Sequence, residues 1–248
     1  MRFDGKSILV TGGAGGLGRL ICADLAEQGA EVTVLDRAAD NSGLACDLST
    51  PEGLEQAAKA VSDRRVDVLV NLAGIQHFGP VETQSPESLT ASYMVNLVAP
   101  VRLTQAVLPG MKARGGGQIV NVGSIFGSIG FAHFATYSSA KAGLRGFSQA
   151  LRRELAGSGV DVTYVAPRAV RTPLNSAAVL EFARLTGMNM DAPEDVARRI
   201  VAAIGARRRD VYLGFPESFF VRLNAVLPGL VDRALAANDR KAAQLFAR

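Results

Sequence analysis

The chain has 248 residues, 48% of them hydrophobic, enough for one large domain or two small ones around a core that needs no covalent staple. Its two cysteines, Cys22 and Cys46, have neither a CxxC partner nor metal-ligand spacing, which argues against a disulfide framework and against a metal site. The net charge of +4, from 27 basic and 23 acidic residues, is mild and dispersed, and no nucleic-acid reading module accompanies it.

The N-terminus runs straight into an apolar strand, Ile8 to Val10, with no apolar leader before it, so a cytoplasmic location is expected. No run of 18 uncharged apolar residues occurs, which argues against a membrane span. After a glycine turn, Leu17, Leu20, Ile21 and Leu25 recur at helical spacing, and the valine-rich EVTVLD over 31–36 reads as the next strand. Strand, glycine turn, helix and strand in close succession form the βαβ unit of a parallel sheet. A helix is expected near Thr50, with Pro51 suited to its first turn, then a strand over 66–74. A long helical region follows over 86–112, a strand over 118–124, a helix over 136–156 and a strand over 160–167. Beyond these come a short helix over 175–185, a helix opening at 192, a short strand over 210–214 and a final helical region over 217–236. The strands are apolar throughout, as parallel strands buried on both faces are. With no linker or repeat, residues 1–248 read as a single α/β domain.

TGGAGGLG, over 11–18, follows a strand and opens a helix. In that position glycines let the backbone approach a pyrophosphate, and the helix start offers free N–H groups and positive potential. Asp36, ending the second strand, is placed to accept hydrogen bonds from ribose hydroxyls and to repel a 2′-phosphate. Arg37 beside it pulls toward the phosphate, and the reading favours NAD over NADP. Asp47 either caps the next helix, in competition with Ser49, or lies near the adenine.

Further motifs sit along the same chain. Thr11, Gly12, Gly16 and Gly18 fit a TGxxxGxG pattern, and residues 71–74 read Asn71, Leu72, Ala73, Gly74. Asn96 lies inside the long helix, Ser124 stands thirteen residues before Tyr137, and Tyr137 and Lys141 make a YxxxK pair. Together these resemble the short-chain dehydrogenase/reductase family over nearly the whole chain. The resemblance implies a single-domain doubly wound parallel sheet, Rossmann-type, with helices on both faces. It implies catalytic roles for Asn96, Ser124, Tyr137 and Lys141. Cofactor contacts are expected from Gly12, Gly16, Leu17, Gly18, Asp36 and Arg37, from Asp47, Leu48, Asn71, Ala73, Gly74 and Thr172, and from Tyr137 and Lys141. Two positions depart from the family pattern. Leu72 replaces a second asparagine, and Arg168 stands where a glycine usually follows Pro167.

A free tyrosine ionises at about 10, too high for an efficient base near neutrality. Lys141, one helical turn on, shares a face with Tyr137, and its charge together with that of an oxidised nicotinamide is expected to lower the phenol. Tyr137 is then the general acid/base, and Ser124 steadies the substrate oxygen. By resemblance, Asn96 holds a water in a proton relay with Lys141.

Phe78, Phe126, His133, Phe134 and Leu174 are expected to line an apolar substrate pocket, which fits a hydrophobic secondary alcohol or ketone. The apolar segment over 215–240 is expected to form a helical lid or the interface of a homodimer or homotetramer, or to touch a membrane peripherally. The leading reading is NAD-dependent interconversion of a hydrophobic secondary alcohol and its ketone. An NADPH-dependent 3-oxoacyl reductase and a non-catalytic NAD-binding sensor or scaffold are the alternatives.

Overall fold

The computed structural model describes residues 2–39 and 43–246. Seven parallel strands form one sheet in the order β3-β2-β1-β4-β5-β6-β7. They are β1 (Ser7–Thr11), β2 (Glu31–Asp36), β3 (Leu44–Ala45), β4 (Val68–Asn71), β5 (Gly117–Val122), β6 (Val160–Ala166) and β7 (Asp210–Tyr212). Chain order reverses direction between β1 and β4, and at such a switch point the carboxyl ends of the strands open a crevice. The register puts Thr11 opposite Asn71, and Asn71 opposite Asn121, so these carboxyl ends finish level.

Period-two alternation divides the sheet's side chains between two cores. Leu9, Leu69, Ile119 and Val162 point into one, against α2 (Pro51–Ser62), α4 (Ala99–Ala113) and the end of α5 (Ala135–Glu154). Ile8, Val10, Val70, Val120 and Val165 point into the other, against α1 (Gly16–Glu27) and α7 (Pro193–Gly205). The doubly wound α/β reading therefore holds, with helices on both faces.

Three local features differ from the sequence reading. The region expected as one helix over 86–112 is α3 (Pro86–Tyr93), a π turn over Met94–Val98 and α4. Pro100 accounts for the widening: it has no N–H for the Asn96 carbonyl and its ring would crowd that oxygen, so Ala99 bonds back to Met94 instead. The two-residue β3 is too short to carry a periodicity. The final helical region is two helices, α8 (Glu217–Val226) and α9 (Pro228–Gln244), because Pro228 forces Leu227 out of helical geometry. A further helix, α6 (Ala177–Thr186), is capped by Ser176 and ended by Gly187 in the left-handed region. Among the described residues no helix is long and apolar enough to cross a membrane.

Candidate active site

The crevice is a cavity of about 570 Å³ over the carboxyl ends of β1, β4, β5 and β6. Its cofactor half rests on backbone. Gly12 has φ of 71°, and a Cβ there would lie 2.8 Å from the Ala73 Cα, so only glycine fits. At Gly18 a Cβ would come 2.1 Å from the Gly12 carbonyl oxygen. Thr11 Oγ1 accepts the Leu72 and Ala73 N–H groups at 3.0 and 3.1 Å, locking the ends of β1 and β4 together. Helix α1 has no side-chain cap and no acidic residue in its first turn, so its N–H groups and positive end stay available to a pyrophosphate.

Asp36 is turned inward. One carboxylate oxygen accepts the Ala14 N–H and the other the Ala38 N–H, both at 3.1 Å. Exposed Arg37 follows it at the rim of the cleft. Asp47 does not cap α2; Thr50 does, through Oγ1 and the Gly53 N–H. Asp47 instead accepts the Ser49 hydroxyl and N–H at 2.7 and 2.9 Å. Those bonds, helped more weakly by the Arg37 charge, hold its carboxyl below the usual range.

The carboxyl end of β5 and the start of α5 bring Ser124, Tyr137 and Lys141 to one wall. The Lys141 Nζ donates to the Val122 carbonyl at 3.0 Å and lies 5.8 Å from the Tyr137 ring centroid. Burial pushes the Tyr137 phenol up to about 12, while a hydrogen bond with the Ser124 hydroxyl pulls the other way. Burial brings the Lys141 ammonium down to about 8. The expected lowering of Tyr137 is thus not produced by the protein alone, because desolvation outweighs the hydrogen bond with Ser124.

Asn96, fully buried in the π turn, donates through Nδ2 to the Ile75 and Ser92 carbonyls at 2.7 and 2.9 Å. Its Oδ1 has no protein partner. A Cβ at Gly74 would sit 3.1 Å from that oxygen and 3.7 Å from Lys141 Nζ, so Gly74 leaves both polar atoms facing one small space. Asn71 departs from expectation. Its Nδ2 donates to Asn121 Oδ1 at 2.8 Å, and Asn121 donates to Ser148 at 2.9 Å, so it ties β4 to β5 and α5 and does not line the cleft.

On the substrate side Phe126, Phe134 and Leu174 line the cleft as expected. Phe78 and His133 do not. The Phe78 ring packs on Phe134, Phe182 and Phe246 at 4.6, 5.3 and 5.1 Å. His133, with φ of 65°, lays its ring over Phe246 at 4.7 Å, and both belong to the packing beneath the end of α9. The loop over 75–78, expected to help build the pocket, also supplies Gln76, which the sequence does not single out: its Nε2 donates to the Leu174 carbonyl at 3.0 Å and clasps the loop after β4 to the loop after β6. Its place just past the end of β4 was the available signal. Arg168 points away from the glycine turn. It donates to the Phe215 carbonyl and Glu217 through Nη1, at 3.0 and 2.9 Å, and to Asp191 through Nη2 at 2.6 Å.

The sheet, its switch point and this cleft define a dinucleotide-dependent oxidoreductase. A family model for short chain dehydrogenases matches residues 6–181, and the chain belongs to that family. It is 38% identical over 191 residues to the 3-oxoacyl-(acyl-carrier-protein) reductase of Vibrio cholerae, covering 71% of this chain and 78% of that one. It is 32% identical over 255 residues to the ketoacyl reductase HetN of a Nostoc species, covering 92% and 88%. A Burkholderia cenocepacia short chain dehydrogenase in complex with NADP superimposes with a TM-score of 0.79 at 25% identity, over 95% of this chain and 99% of that one. A Beutenbergia cavernae protein described as a gluconate 5-dehydrogenase, with NADP bound at low occupancy, gives 0.74 at 30% identity, over 84% and 95%. These structures overturn the expected preference for NAD. The physical reason lies at Asp36, whose two oxygens are held by backbone N–H groups while Arg37 stands exposed beside it.

Proposed function

We propose that the protein is an NADPH-dependent reductase of 3-oxoacyl groups, delivering a 3-hydroxyacyl product. The observation that carries this is the convergence of Ser124, Tyr137 and Lys141 in an apolar-walled cleft whose phenol is protonated across the physiological range. Bound NADPH supplies the hydride. Gly12, Gly16, Leu17, Gly18, Ala73 and Gly74 would hold it, with Asp36, Asp47, Leu48 and Thr172 lining the same cleft and exposed Arg37 available to a 2′-phosphate. Ser124 donates a hydrogen bond to the substrate carbonyl oxygen and Tyr137 gives that oxygen its proton. Lys141 then returns a proton to the phenol, with Asn96 Oδ1 and Gly74 shaping the space through which it is resupplied. A neutral phenol suits reduction, where an acid is required.

Phe215, Phe219, Val226, Leu227 and Leu230 are exposed on the C-terminal segment. An apolar face of this kind supports assembly with a second copy of the chain, with peripheral membrane contact as the competing reading.

The direct test follows loss of reduced nicotinamide absorbance with acetoacetyl thioester as substrate. Steady consumption of NADPH with formation of the 3-hydroxy product supports the reading. Reduction of simple ketones or sugars alone, with no thioester turnover, would contradict it.

A further inference from the structure

A second cavity, of about 260 Å³, lies between the turn after Ser124, the end of α6 and the helix pair α8 and α9. Ile129, Phe131, Phe220, Val231 and Leu235 give it apolar walls. Phe126, Arg168, Ala169 and Met188 line both this chamber and the catalytic cleft, so a single layer of side chains divides the two. Phe126 is central to that layer. Its ring meets Tyr137 edge-on at 6.2 Å and stacks on Phe131 at 4.2 Å. A chain extending from a carbonyl held at Ser124 and Tyr137 meets Phe126 first and the chamber behind it. Met188 is the adaptable part of the divide, because an unbranched thioether shifts between rotamers readily.

The charged groups at the chamber's edge are already matched. Arg168 is ion-paired with both Asp191 and Glu217, so the cluster carries no free cation for a carboxylate, although Arg168 Nε and Asp191 Oδ2 keep no hydrogen-bond partner. Thr186, Asn189 and Asn238 also line the chamber, but most of its wall is phenyl and aliphatic, so a sugar placed there would leave several hydroxyls without partners. A linear hydrocarbon has no such cost. Two anchors hold the helical roof over it: the Arg168 cluster, and Asn224, which donates to the Ser128 carbonyl at 2.9 Å.

We propose that this chamber receives the hydrocarbon tail of the substrate, making the enzyme selective for medium-chain over short-chain acyl groups. The proposal rests on the reductase reading above and assigns the length of acyl group that site takes. Arg168, acting through the position of α8, is a specificity-determining positioning residue.

The test separates the chamber from the reaction. Butyryl, hexanoyl, octanoyl and decanoyl thioesters of N-acetylcysteamine lack the 3-oxo group and cannot be reduced. They are titrated calorimetrically into the NADPH-loaded protein. Affinity is expected to rise by up to about fourfold per added methylene until the chamber is filled. Val231→Phe, which projects bulk into the chamber, abolishes that gradient, with NADPH affinity serving as the measure that the variant has folded. Leu235→Ala, which only removes bulk, moves the preferred chain length upward by about two carbons, at roughly one methylene of space per carbon. Reduction of the matching 3-oxoacyl series is measured in parallel. A flat affinity from four to ten carbons, unmoved by either variant, overturns the proposal even if every 3-oxoacyl thioester is reduced. A steep gradient without any reduction leaves the chamber standing and removes the reductase reading.

Discussion

The two halves of the cleft are held by different means. On the cofactor side the constraints are steric and local: Gly12 and Gly18 leave no room for a Cβ, and Thr11 receives two backbone N–H groups from the end of β4. On the substrate side the walls come from residues distant in sequence, joined by side chains such as Gln76 to Leu174 and Arg168 to Asp191 and Glu217. A backbone cradle admits one ligand shape and tolerates little change. A wall built from clasped side chains can be re-tailored without disturbing the chemistry, which is how one family serves many substrates.

The largest effect that can separate these halves comes from the group between them. Tyr137→Phe is expected to lower turnover about a thousandfold, because the proton donor is lost. NADPH affinity, measured by fluorescence, is expected to stay within about twofold, since the glycine cradle is untouched. Equal loss of both would mean that Tyr137 is part of the cradle.

Next is Arg168→Gly, which restores the residue the family usually carries. It leaves Asp191 and Glu217 without their shared cation and is expected to cost about 2 kcal/mol in a denaturant titration. Hydrogen exchange is expected to quicken over 214–226 and stay unchanged over 7–18. Faster exchange in both regions would mean that the two halves of the cleft are not held independently.

The pH profile carries a sign set by Lys141. Its ammonium is lost as pH rises through about 8, so the reductase rate is expected to be level below that value and to fall above it, approaching about tenfold per unit. Tyr137, raised to about 12, adds no limb in this range. A rate that climbs between pH 8 and 10 would indicate that a phenolate, not a phenol, is the working form. The smallest effect on catalysis is expected at the outer face. Phe219→Lys with Leu230→Lys is expected to abolish the proposed assembly with a second copy in light scattering, with kcat changed less than about threefold, as exposed sites away from chemistry allow.

The same contrast explains what could be read in advance. The glycine turn, the apolar runs of β4 and β5 and the Tyr137–Lys141 pair are short-range patterns, and they specified the sheet and the chemical wall. Phe78 and His133 were misplaced because their strand-end positions matched those of pocket residues. Only packing against Phe182 and Phe246 decides which way such rings turn. Asn71 was misread because one residue at a strand end can face the cleft or the neighbouring strand, and Asn121 with Ser148 settles that choice. Asp36 was given the wrong weight since its carboxylate partners are backbone N–H groups of a turn, invisible in side-chain identity. The π turn at Asn96 has its signal in Pro100, which has no N–H for the Asn96 carbonyl.

The central claim is a reductase served by NADPH, and the most direct measurement is the ratio of kcat/KM with NADPH to that with NADH, on a medium-chain 3-oxoacyl thioester. The wild type is expected to favour NADPH by at least about thirtyfold, the worth of a charge-assisted hydrogen bond to the 2′-phosphate. Arg37→Ala is expected to bring the ratio close to one by weakening NADPH alone. A ratio below one in the wild type, with Arg37→Ala without effect, would contradict the account.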